Sequence, residues 1–132
     1  MTLRVLVETS LGVVAVDIDD GEVEFVDEPA ELAPARAPEI SLPLLVASSR
    51  SGSTVAAVVD RRPPLLVSHD GGITWRESGA GLPSGRAVAI SPDDPDLILF
   101  AGEERLFLSH DGGRFWSALA VELAGISAVA FA

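Results

Sequence analysis

The chain has 132 residues, the size of one domain with a core of its own, and at 48% hydrophobic residues its composition excludes a disordered polymer. Its formal net charge of -11 argues against nucleic acid or an anionic membrane as partner, and the absence of cysteine excludes a disulfide framework or a thiolate metal site. No apolar run approaches the ~20 residues that span a bilayer.

From the N-terminus, Met1 to Val16 carries one early positive charge and an apolar run, interrupted by Glu8. No cleavage pattern follows, so the stretch reads as a strand and not a signal peptide. Together with the missing cysteines this sets the expectation of a cytoplasmic protein. The first unit supplies strands near Leu3–Glu8, Val13–Ile18 and Glu22–Val26. A connection rich in Pro, Ala and Glu follows from Asp27 to Pro38, made irregular by prolines 29, 34 and 38.

A second unit reads as four strands, near Ile40–Ala47, Thr54–Val59, Leu65–His69 and Thr74–Glu77. A third reads as four more, near Ala87–Ile90, Leu97–Ala101, Leu106–His110 and Arg114–Leu119. Segment 118–124 lacks a breaker and is the one place where a helix competes.

The units are repeats. Ser68-His69-Asp70-Gly71-Gly72-Ile73-Thr74-Trp75 returns 41 residues later as Ser109-His110-Asp111-Gly112-Gly113-Arg114-Phe115-Trp116. The same spacing sets Leu65-Leu66-Val67 on Leu106-Phe107-Leu108. A slide of 51 sets Val5-Leu6-Val7 on Ala56-Ala57-Val58, with Asp19 and Gly21 as remnants of a degraded first tip. Ala128-Val129-Ala130-Phe131 repeats Ala87-Val88-Ala89-Ile90, so the chain ends on a first strand and starts on a unit that lacks one.

An orphan strand exposes unpaired backbone groups, and propellers typically take 4–8 blades. The expectation is therefore an all-β propeller with three four-stranded blades per chain, closed to six by a head-to-tail homodimer. Blade 1 would hold about residues 3–28 plus 126–132 of a partner, blade 2 about 39–80 and blade 3 about 84–121.

Ser-x-Asp-x-Gly-x-Thr-Trp resembles the Asp-box, or bacterial neuraminidase repeat. Ser68, Asp70, Gly72, Thr74 and Trp75 match it fully; Ser109, Asp111, Gly113 and Trp116 match it with Phe115 in the Thr position. The resemblance implies a propeller of the sialidase, sortilin and photosystem II assembly factor-like kind, with the box structural and opposite the ligand face. The residue types suit that role. The aspartates can accept from amides of their own turn, the glycines permit positive φ, and each tryptophan can fill a gap between strands for ~2–3 kcal/mol.

One carboxylate per tip falls short of the six or more oxygens of Ca²⁺, and His69 and His110 read as solvated turn residues. No metal or cofactor is expected. Sialidase chemistry needs a tyrosine nucleophile, and the chain has no tyrosine. The face opposite the tips would gather Arg36, Arg61, Arg62, Arg86 and Arg105 with Glu103 and Glu122, as candidate ligand-binding residues or as mutually paired surface charges. The functional expectation is a non-catalytic binding or assembly scaffold, its partner a second copy and a protein or glycan ligand. The alternative is a glycan-binding lectin or a glycoside hydrolase relative.

Overall fold

A computed structural model describes residues 3–19, 21–26, 42 and 44–131. It contains twelve strands and, among the described residues, no helix. They are β1 (Arg4–Thr9), β2 (Gly12–Asp17), β3 (Val23–Phe25), β4 (Leu45–Ser51), β5 (Thr54–Val59), β6 (Leu65–Ser68), β7 (Arg76–Ser78), β8 (Ala87–Ile90), β9 (Ile98–Ala101), β10 (Arg105–Ser109), β11 (Ser117–Glu122) and β12 (Ala128–Phe131). They form three four-stranded antiparallel sheets, ordered β12-β1-β2-β3, β4-β5-β6-β7 and β8-β9-β10-β11.

The local causes are legible in the chain. β5 and β9 are apolar at nearly every position and buried at all of them, as suits a strand covered on both faces. β4 and β5 are joined by the two-residue turn Gly52-Ser53, with Gly52 at φ 60°, where a side chain would be strained. In β11 exposure alternates, and Leu119 and Val121 pack on the core while Ala118 and Ala120 face out. That period of two, paired to β10, settles segment 118–122 as strand and not helix. β4 begins later than expected, at Leu45; its expected start at Ile40 and the connection 27–38 lie outside the described residues.

The third sheet is the slab on which the other two pack. One face carries Val88, Ile90, Ile98 and Phe100 against Ala56, Val58, Leu65 and Val67 of the second sheet. Phe100 is fully buried and meets Phe107 and Trp116 edge-on, at centroid distances of 6.0 and 6.1 Å. The other face carries Leu97, Leu99, Leu106 and Leu108 against Val5, Val7, Val14 and Val16 of the first sheet. Among the described residues, no strand of the first sheet lies against one of the second.

The two seams are alike: β8 lies against β4 and β5, and β12 lies against β8 and β9, so each first strand packs on the first two strands of the sheet before it.

In this structure β12 pairs with β1 of its own chain, where a partner's strand was expected, with Val5 opposite Phe131 and Val7 opposite Val129. Ser127 N donates to Glu8 O at 2.9 Å and Ser10 N to Ala124 O at 3.3 Å, tying the approach to β12 onto the β1–β2 turn. The backbone groups of β1 that face β12 are paired within one chain.

Glu8 and Ala128 are paired in register, and the chain has no cysteine. Glu8→Cys combined with Ala128→Cys should therefore oxidise to an intrachain disulfide. On a non-reducing gel the product should run as one 13.7 kDa chain; a disulfide-linked dimer band would show that the strand is exchanged.

Candidate functional site

The two box turns are built alike. In the first, Ser68 Oγ lies 2.7 Å from Asp70 Oδ1 and accepts from Gly72 N at 2.8 Å. Asp70 Oδ1 accepts from Ile73 N and Thr74 N at 3.1 and 2.9 Å, and Oδ2 accepts from Thr74 Oγ1 at 2.5 Å. In the second, Ser109 Oγ accepts from Gly113 N at 2.9 Å, and Asp111 Oδ1 accepts from Arg114 N and Phe115 N at 3.1 and 3.0 Å. The carboxylate replaces the ladder partners that a turn loses. Gly72 and Gly113, at φ 97° and 93°, let the chain fold over it.

Thr74 Oγ1, followed by the Thr74 amide and Ser68, holds the Asp70 carboxyl well below the usual carboxylate range. Asp111 is held down by the Phe115 amide and Ser109; Phe115 has no hydroxyl to add a further bond. Both carboxylates are thus engaged in their own turns.

Each box tryptophan closes over its own turn, Trp75 Nε1 donating to Gly72 O at 3.0 Å and Trp116 Nε1 to Gly113 O at 3.1 Å. Trp116 goes further than a gap between strands of one hairpin. It lies in the seam between the second and third sheets, donating to Ser78 Oγ at 3.2 Å, while Ser78 Oγ donates to Gly113 O.

At the opposite end of the strands stand the arginines expected to bind a ligand. Arg86 pairs with Glu103 at 3.7 Å and Arg105 with Glu122, all four side chains substantially exposed. Arg62 Nη1 lies 3.5 Å from Leu82 O, Arg61 is exposed, and Arg36 is outside the described residues. The loops themselves are cross-tied, Leu123 N donating to Glu104 O and Ile126 N to Glu103 O at 2.8 and 3.0 Å. The structure brings Arg86, Glu103, Arg105 and Glu122 to one end, but as neighbouring exposed ion pairs, which are worth little and leave no converging guanidiniums.

A further concavity lies elsewhere, and sequence reasoning missed it. A groove of about 870 Å³ runs along the outer part of the seam between β7 and the second box turn. Val67, Leu82, Phe107 and Trp116 give it apolar walls, and Arg76 and Arg114 line it too. The same two arginines line an adjoining depression of about 540 Å³ with His69, His110, Asp96 and Asp111. Arg76 Nη2 is 3.3 Å from His69 Nε2, and His69 Nδ1 is 3.5 Å from Thr54 Oγ1. A guanidinium only donates, so this geometry assigns the imidazole proton to Nδ1. Among the described residues, no group of three or more His, Asp or Glu side chains is placed to hold a metal ion.

The family model for the BNR/Asp-box repeat matches residues 66–77, which are β6, the first box turn and the start of β7. The chain carries an Asp-box repeat. Its second box, outside that match, repeats the Ser–Asp–Gly–Trp bonding of the first. In fold the Asp-box protein is similar to the GH74 enzyme of Niastella koreensis, with a TM-score of 0.51 and 22% sequence identity. The match covers 93% of this chain and 18% of that enzyme, so the Asp-box chain spans less than a fifth of its length. No curated protein matches it significantly.

The box bonding fixes a pH signature. A carboxyl depressed in the fold contributes stability fully above its unfolded value, near 4, and loses it as pH falls from there through the folded value. Asp70→Asn should therefore lower the melting temperature at pH 7, and the gap to the parent protein should shrink steadily as the pH drops below about 4. A gap independent of pH would mean that the charge of Asp70 contributes nothing.

Proposed function

We propose that this Asp-box chain is a non-catalytic binding or assembly module. The observation that carries the reading is where its carboxylates are. A glycosidase of the usual kind needs two carboxyl groups facing each other across a substrate, one of them raised in pKa to act as acid. Here Asp70 and Asp111 are both held down by bonds within their own turns. The large groove is lined by a single carboxylate, Glu77, and the chain has no tyrosine to serve as a sialidase-type nucleophile.

The second reading, a glycan-binding lectin or a glycoside hydrolase relative, is favoured by the Asp-box itself and by likeness to an enzyme of the GH74 kind. A glycan array together with a panel of fluorogenic glycosides separates the two. The binding-module reading expects no turnover of any glycoside. Hydrolysis would overturn it, and capture on the array without turnover would select the lectin.

Assembly in this proposal includes self-association, on a footing other than strand exchange. Leu44, Leu45 and Val46 are 58%, 38% and 47% exposed at the start of β4, which among the described residues is an edge strand. An apolar edge of this kind is a surface that a second copy covers. Light scattering should give twice the 13.7 kDa chain mass at high concentration, and Val46→Lys should restore the single-chain mass. A single-chain mass throughout would remove self-association from the proposal.

A further inference from the structure

Arg76 and Arg114 are not required by the repeat. In register with them stand Ser117 and Ile73, and the two box turns are otherwise bonded alike. Whatever the two guanidiniums do, they do it at this one seam.

Among the described residues neither forms an ion pair, nor do Arg50, Arg61 and Arg62, whereas Arg4, Arg86 and Arg105 do, in a chain of net charge -11. Arg76 is steadied by His69 Nε2, which is turned toward it by the proton that Nδ1 presents to Thr54. Asp111, the nearest carboxylate in sequence to Arg114, is spent on Ser109 and on two amides of its own turn. Asp96 lines the depression and Glu77 the groove without reaching either guanidinium at ion-pair distance.

Between these cations and the buried seam lies an apolar trough. Its volume, about 870 Å³, is that of a pocket for a drug-sized molecule. It exists because β7 has only three residues and the segment Gly79-Ala80-Gly81 carries almost no side chain, so the outer seam is left unfilled beyond Trp116. The combination of an apolar trough and two arginines at its border defines the class of ligand. Arginine forks bind planar or tetrahedral oxyanions, and Phe107, Leu82 and Trp116 favour a carbon skeleton.

We propose that this groove binds a small organic anion, its apolar body lying on Phe107, Leu82 and Trp116 and its carboxylate, sulfate or phosphate held by Arg76 and Arg114. The site deepens the reading of the chain as a binding module and rests on it only in that respect. A silent glycan array with the groove occupied would sink the glycan reading alone.

The test uses the full chain and two dyes that share an aromatic body, 8-anilinonaphthalene-1-sulfonate and the uncharged N-phenyl-1-naphthylamine. The anionic dye should bind saturably at one site per chain and more tightly than the neutral one. In the Arg76→Gln, Arg114→Gln double variant its affinity should fall roughly tenfold, with neutral-dye binding unchanged. Circular dichroism and the urea midpoint verify that the variant is folded. Equal affinity of the two dyes for the parent protein, unchanged anionic-dye binding in the folded double variant, or the absence of saturable binding would each overturn the site. The two-dye comparison on the parent protein decides the matter even where the variant fails to fold.

Discussion

The molecule depends on one sheet being apolar on both faces. The third sheet, β8 to β11, gives Ile98 and Phe100 to one neighbour and Leu97, Leu99, Leu106 and Leu108 to the other. Among the described residues the first and second sheets do not meet, so it is the third that holds them together. Burying a side chain of the size of Phe100 contributes on the order of 2–3 kcal/mol, so a handful of residues on this slab accounts for the cohesion of the whole.

Around that slab the Asp-box supplies order at the rim, not chemistry. Its serine, aspartate, glycine and tryptophan form a closed set of bonds that consumes each polar atom the turn would otherwise strand. The functional potential of the chain therefore sits beside the boxes and not in them. The seam between two boxes is fixed by Trp116 and Ser78, and what the boxes leave open next to it is a trough bordered by arginine.

Much of the fold could be read from the chain because the cause is local. Thr54–Val59 and Leu65–Val67 are β-branched or leucine-rich runs bounded by turn residues, and a 41-residue echo repeats them; pleating and pairing follow from that alone. What could not be read was tertiary. The repeat register names the partner of β12, a β1 strand, but says nothing about whose β1 it is. Nor does periodicity reveal that Val5 and Val7 cover Leu97 and Leu99 of the third sheet, because any two apolar faces satisfy each other. The arginines at the opposite end look like a cluster in sequence, yet each of Arg86 and Arg105 has a glutamate one loop away. Arg76 and Arg114, in contrast, gave a usable signal: with Glu77 they stand at the positions in and just after the boxes where the two copies disagree in charge.

The pairing of β12 with β1 has a consequence for the order of assembly. The second and third sheets are each built from strands consecutive in the chain, whereas the first needs Val5 beside Phe131. Its closure costs the entropy of the longest loop of the three, so contacts local in sequence form the other two sheets first.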